Sequence, residues 1–242
     1  MSIQPDVDLL KQYSLLLFSK LEGAVTAGMV HLGDQLGLYR AMSRAGTPLT
    51  TSELAEHTGL DERWVREWAY NQAAAKLVDV DAAERFSMSP EAVAVLATPD
   101  HPAFGMGMFH RLPETMQSLT RARESFVTGL GHDYDSHGPG AAIGIERSFE
   151  PWNNTFLLPV VLPTLDGVVD RLTAGATVID VGCGAGSAVL LMAAAFPRST
   201  FIGFDISQYA LDRAQEKLDE SGLDNARFSD PRRDPIPDDH SA

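Results

Sequence analysis

One run of ten residues constrains this chain more than any other: Val178-Ile179-Asp180-Val181-Gly182-Cys183-Gly184-Ala185-Gly186-Ser187. An apolar stretch ends in three glycines at alternate positions, and an apolar helical pattern starts directly behind them. Glycine permits positive φ and lacks the Cβ that would hold a ligand away from the backbone. A helix opening there offers free N–H groups to a polar or anionic ligand group. The pattern predicts a strand at Thr177–Val181, a helix at Ser187–Ala195 and a second strand at Thr200–Phe204. A helix capped by Ser207 and running to Glu220, then a third strand at Ala226–Ser229, complete the series. Strands alternating with helices imply an α/β fold with a doubly wound parallel sheet. No internal repeat is apparent.

The front of the chain has a different period. Residues 8–44 read as helix, with Leu9, Tyr13, Leu16, Leu17, Leu21 and Val25 on one apolar face. Gly23, Gly28, Gly33 and Gly37 predict a break or a close helix–helix contact. Thr50 and Glu53 have the spacing of a capping box. Asp61 can cap a second helix on which Trp64, Val65, Trp68 and Ala69 share a face, so both tryptophans are read as core. Two short β pieces, Leu77–Val80 and Arg85–Met88, follow across Asp81–Glu84, and Ser89-Pro90 suits the start of another helix. Helix, turn, helix and hairpin make a winged-helix pattern. The stretch Pro99–Thr173 reads as mostly helical, with Pro159 and Pro163 as kinks and an irregular segment Thr128–Gly144 that suggests a lid or binding loop. The organisation is therefore a winged-helix domain over 1–98, a helical linker and lid over 99–173, and an α/β domain over 174–242.

Bulk properties narrow the function classes. A formal net charge of −14 argues against a nucleic-acid partner, because phosphate binding is driven mainly by Lys and Arg. The same holds locally: Arg63, Arg66 and Lys76 are balanced by Asp61, Glu62 and Glu67 on the second helix of the winged pattern. The single cysteine excludes an internal disulfide and a multi-cysteine metal site, and no metal is expected. Cys183 itself reads as a small buried filler between glycines. The aliphatic run Leu15–Phe18 is too short for a signal core or a membrane span, so no membrane partner and a cytoplasmic location are expected.

Asp205 stands nineteen residues beyond Gly186, at the end of the second strand, where an acid can accept both hydroxyls of a ribose. A nicotinamide fingerprint would place glycine or alanine where this chain has Ser187. Asp180, two residues before Gly182, makes the motif Asp-x-Gly-x-Gly-x-Gly instead. This resembles the first motif of the Rossmann-type methyltransferases that use S-adenosylmethionine. The resemblance implies that Asp180, Gly182, Gly184 and Gly186 pack against the methionine part of the cofactor. It further implies that Asp205 holds the ribose, that Ile206 lies against adenine, and that Asp230 or Asp234 sits near the adenine amine. The helical front domain extends the likeness to bacterial small-molecule methyltransferases, many of them O-methyltransferases. In these the front domain dimerises and covers the substrate pocket, which implies a homodimer here.

The resemblance therefore implies methyl transfer to a small organic acceptor, at oxygen. His110, His132 and His137 are the candidates for a general base, with Tyr134 beside them, and Phe149 and Trp152 are candidates for a pocket wall. A seven-stranded sheet is the rule in that family, so the Pro- and Asp-rich run Pro231–Ala242 reads as a loop before a fourth strand and the chain as truncated. Such a truncation would leave the third strand as an unpaired edge. Two other readings follow from the same residues: a silent cofactor-binding or dimerisation protein, and a winged-helix transcriptional regulator.

Overall fold

The computed structural model describes residues 4–237, so the outer ends of the segments 1–98 and 174–242, and the last residues of the Pro231–Ala242 run, lie outside the described residues. The chain divides into two compact units, 1–97 and 98–242.

The first unit begins with α1 (Val7–Gln35), whose start is fixed by the Asp6 carboxylate accepting from the Asp8 and Leu9 amides. It breaks at Gly37, which sits in the left-handed region at φ 73°, and α2 (Leu38–Ala45) runs from there to a second left-handed glycine, Gly46. The capping box of Thr50 and Glu53 is present at the start of α3 (Thr51–Thr58). Asp61 caps α4 (Glu62–Ala74). β1 (Asp79–Val80) and β2 (Phe86–Ser87) pair antiparallel as a short wing, and α5 (Pro90–Leu96) follows with Ser89 as its cap.

This unit closes around the end of α1. The Tyr39 hydroxyl donates to Gln72 Oε1 at 2.6 Å, the Trp68 indole donates to the Met29 carbonyl at 2.9 Å, and the two rings meet edge to face at 5.1 Å. Both rings lie against Gly33, where an added Cβ would stand 2.7–2.8 Å from them. Trp64 is not in this core. Val65, Trp68, Ala69 and Gln72 fill the inward stripe of α4, which leaves Trp64 on its flank, 71% exposed. There it borders an open apolar groove of about 380 Å³ together with Leu32, Leu36 and Leu60.

The apolar face of α1 predicted from its spacing is also exposed: Leu9, Tyr13, Leu16, Leu17, Leu21 and Val25 all lie at the surface. By length and composition alone α1 is apolar enough to cross a membrane, which the short Leu15–Phe18 run did not suggest. Its last turns are part of the folded unit, with Val30, Gly33 and a buried Asp34 facing Arg40 at 3.7 Å.

The second unit holds α6 (Met106–His110), α7 (Leu112–Thr128), a 3₁₀ turn at Tyr134–His137 and α8 (Pro139–Phe156). The expected irregular segment Thr128–Gly144 is thus shorter than its glycines suggest, because α8 starts at Pro139. Gly140 and Gly144 serve close packing: a Cβ on Gly144 would stand 2.7 Å from the Gly107 carbonyl, and one on Gly140 would strike the Glu114 carboxylate. Pro159 and Pro163 deform the chain into a π turn at Leu157–Val161 and a 3₁₀ turn at Leu162–Thr164, after which α9 (Val168–Ala174) begins.

β3 (Thr177–Val181), α10 (Ser187–Ala195), β4 (Thr200–Phe204), α11 (Gln208–Ser221) and β5 (Ala226–Ser229) follow as the alternation predicts. The sheet is parallel, in the order β3-β4-β5, with Val181 opposite Phe204. Leu162, Leu172, Val189, Met192, Ala193 and Phe201 form its core. The third strand, β5, is an edge as expected; β4 is central, and β3 has an open side as well among the described residues. Val181, on the strand that carries the glycine motif, is accordingly 65% exposed.

The two glycines of α1 test this packing. Gly33→Ala should cost about 1–3 kcal/mol through overpacking against Tyr39 and Trp68. Gly28→Ala has open space within 4 Å and should instead stabilise by about 0.5–1 kcal/mol. Urea unfolding of the two variants should move in opposite directions.

Candidate functional site

The site is built where β3 and β4 end side by side. Gly182, Gly184 and Gly186 all have positive φ, at 81°, 56° and 76°. The chain folds back over the neighbouring strand, and the Phe204 carbonyl accepts from the amides of Gly182 at 2.7 Å and Cys183 at 3.0 Å. Asp205 then ties the turn to the next helix. One carboxylate oxygen accepts from the Gly184 amide and the other from the Ser207 amide, each at 2.8 Å. An added Cβ on Gly182 or Gly184 would meet nothing within 4 Å, so both present bare backbone to open space. Gly186 differs: it packs on Phe228, and a Cβ there would collide with that ring.

A cavity of about 280 Å³ opens on this turn. Its floor is Asp180 and the glycine turn, and its roof is α8, through Ile145, Phe149 and Asn153. The Asp180 side chain has no hydrogen bond or ion pair among the described residues, although its backbone is in the β3–β4 ladder. Burial, and then the nearby Asp205 charge, raise its pKa above the usual carboxylate range. The Cys183 thiol is pushed up to about 12, by burial first and then by Asp205 and Asp180.

The acids of α8 are in the opposite condition. Glu146, buried, accepts from Lys217 Nζ at 3.0 Å and from the Arg213 guanidinium. Glu150 accepts from Lys217 at 2.7 Å and from the Ser187 hydroxyl at 3.2 Å. This network fastens α8 to the first turn of α10 and to α11, and so sets the height of the cavity roof. The sequence reading missed it. Glu146 and Glu150 share a helix face, and so do Arg213 and Lys217, but nothing in the spacing says that the two faces meet.

The remaining candidates are dispersed. Ile206 is 47% exposed beside Asp205. Asp230 is buried and held by Arg232, whose Nε lies 2.9 Å and 3.0 Å from its two oxygens; the Arg232 side chain also donates to the Ile206 carbonyl at 2.8 Å. These bonds hold the Asp230 carboxyl below the usual carboxylate range. Asp234 pairs with Arg227 at 2.8 Å. None of the three histidines lines the cavity on the glycine turn. His110 Nδ1 lies 3.1 Å from Arg147, and His132 Nε2 lies 3.0 Å from the Arg121 carbonyl. His137 stacks edge to face on Tyr134, with its Nδ1 buried and unpartnered. Phe149 does line the cavity; Trp152 stacks on Phe156 at 5.6 Å instead. The described residues contain no group of side chains suited to a metal ion.

Residues 172–232 match the methyltransferase domain family, and residues 24–98 match the Rv2258c-like winged HTH domain. Among solved structures, the mitomycin 7-O-methyltransferase MmcR is similar over 97% of this chain and 70% of its own, with 20% identity and a TM-score of 0.66. Human N-acetylserotonin methyltransferase, solved with S-adenosylmethionine, is similar over 98% of this chain and 70% of its own, with 16% identity and a TM-score of 0.60. RP789, an uncharacterized protein of Rickettsia prowazekii (strain Madrid E), is 29% identical over 105 residues. That match takes in 43% of this chain but only 19% of the relative's length.

The thiol provides a direct test of the site's electrostatics. With a pKa pushed up to about 12, Cys183 carries almost no thiolate at pH 8, so it should react with a disulfide reagent at least about tenfold more slowly than free cysteine. Asp205→Asn should speed that reaction, because one of the two raising charges is gone.

Proposed function

We propose that the chain binds S-adenosylmethionine and methylates a small organic acceptor at oxygen, a reading supported by the match of residues 172–232 to the methyltransferase domain family, the match of residues 24–98 to a winged HTH domain, and the fold shared with solved methyltransferases. The observation that carries this reading is the pairing of a bare glycine turn with Asp205, whose two oxygens are fixed by the Gly184 and Ser207 amides.

The donor set suits such a cofactor. Each Asp205 oxygen accepts one backbone amide and keeps a lone pair for a ribose hydroxyl. Asp180 is an acid without a cation in a cavity that would receive the charged methionine end. Gly182 and Gly184 let the ligand lie on the backbone, while Gly186 keeps α10 close to the sheet. Ile206 offers an apolar surface to the base, with Asp230 and Arg232 at its edge. When bound, S-adenosylmethionine supplies a methyl group on a positively charged sulfur. The protein's own task is then to hold the acceptor in line and keep water away, for which Ile145 and Phe149 are the apolar side chains at the cavity roof.

The exposed apolar half of α1 fits a homodimer, since a row of leucines with Tyr13 and Phe18 at the surface is costly in water. A cytoplasmic location belongs to the same reading. Sedimentation of the full chain should give a dimer, and Leu16→Glu with Leu17→Glu should shift it to monomer. A wild-type monomer, or one that sediments with vesicles, would remove the dimer from the reading.

Two measurements test the cofactor site. Asp205→Ala should weaken binding by about 1–3 kcal/mol in calorimetry, the scale of a lost charge-assisted hydrogen bond. Binding should also tighten as pH rises through the raised Asp180 pKa, because a cationic ligand favours the carboxylate. Asp180→Asn should abolish that slope. Methyl transfer itself is checked with labelled cofactor and a panel of phenols and carboxylic acids.

A further inference from the structure

The Tyr134–His137 turn lies outside the cavity described above, yet it is bonded to the first residue of α11, next to the Ser207 cap that Asp205 holds. Asp135 Oδ2 accepts from the Gln208 amide at 2.8 Å, and Asp205 Oδ1 accepts from the adjacent Ser207 amide at the same distance. Asp205 and an acid of this turn therefore accept from the two successive amides at the entrance to α11. Arg232 joins the arrangement from the third side. It is held by Asp230, donates to the Ile206 carbonyl, and is further stabilised by the charges of Asp133 and Asp135. The end of the site around Ile206 is thus ringed by the Asp133–Asp135 segment, the start of α11 and Arg232.

The turn is ordered within itself but incompletely satisfied. The Asp135 amide donates to Asp133 Oδ1 at 2.9 Å, the Gly138 amide donates to the Asp135 carbonyl at 3.0 Å, and Arg121 holds the Ser136 carbonyl. Asp135 Oδ1, the Ser136 hydroxyl and His137 Nδ1 are nevertheless buried without a partner. Buried polar atoms without partners are costly, and water would satisfy all three if the turn lifted. Lifting would give these groups partners and so offset part of the cost of breaking the Asp135–Gln208 bond.

We propose that the Tyr134–His137 turn is a lid over the nucleoside end of the cofactor site, latched by Asp135 on the Gln208 amide, with Asp135 acting as a positioning residue for the bound nucleoside. The proposal rests on the reading that this site takes an adenosyl cofactor. It accounts for Asp135, Ser136 and Arg232, which neither the glycine motif nor the ribose acid explains. The lid lifts for the cofactor to exchange and reseats when the nucleoside fills the space beside Ile206.

The test uses the full chain and S-adenosylhomocysteine as the probe. Asp135→Ala should release the probe about fivefold faster in stopped flow, as for the loss of one hydrogen bond. Asp135→Asn, whose amide oxygen still accepts from Gln208, should stay within twofold of wild type. In the unmutated chain, hydrogen exchange over 129–138 and at Gln208 should slow when the probe binds. That readout needs no variant and stands if Asp135→Ala fails to fold. If the wild type binds the probe but neither the release rate nor the exchange changes, the lid is overturned while the cofactor site remains. If the wild type does not bind the probe at all, the cofactor reading falls and the lid with it.

Discussion

The carboxylate of Asp205 holds the glycine-turn end of the second unit together. It reaches the Gly184 amide on one side and the Ser207 amide on the other, and so joins the exits of both β3 and β4. A charged acceptor between two backbone donors makes a stronger bond than a neutral one. The in-register pairing of Val181 with Phe204 brings the two exits level, and the Phe204 carbonyl then takes the Gly182 and Cys183 amides. A chain that doubles back this tightly must pass through positive φ three times, which is why glycines stand at alternate positions. The cradle is consequently a property of the backbone. Side chains enter mainly from α8 above it.

Most of this end was legible in the sequence because local signals and tertiary structure agree there. The period changes from helical to alternating at Thr177, the glycines punctuate it, and Ser207 caps α11 as its position predicts. The capping box at Thr50 and the caps at Asp61 and Ser89 were legible for the same reason, since a cap is a contact between residues at most a few positions apart. Where the reading departed from the structure, a long-range contact had overruled a local signal. Gly140 and Gly144 look like loop residues, yet they sit in α8 because Glu114 and Gly107 press against them. Trp64 shares a helical spacing with Trp68, but α4 has only one inward stripe and Trp64 is off it.

The winged-helix unit shows the same division between near and far. Its wing is only two residues per strand, and Leu49 adds a bridge to Phe86, so the hairpin is anchored to the helices by a residue that lies well before it in the chain. Arg85 reinforces this by reaching the Pro48 carbonyl and the Glu53 carboxylate. Glu53 thus completes the cap of α3 and pairs with the wing, two roles of which only the first could be read from spacing.

Charge distribution separates acids paired within the fold from one left unpaired. The chain is strongly acidic as a whole, yet Glu146 and Glu150 are neutralised within the fold by Arg213 and Lys217. Removing Lys217 would leave Glu150 without a cation and Glu146 with Arg213 alone, so these acids belong to the packing of α8. Asp180 borders the same cavity with no such partner, and Asp205 nearby makes its ionisation harder still. A fold that compensates two carboxylates and leaves a third unpaired a short distance away keeps an electrostatic deficit in one place. Taking up a proton or placing a cation beside Asp180 would each remove it, which is why its pKa lies above the usual carboxylate range.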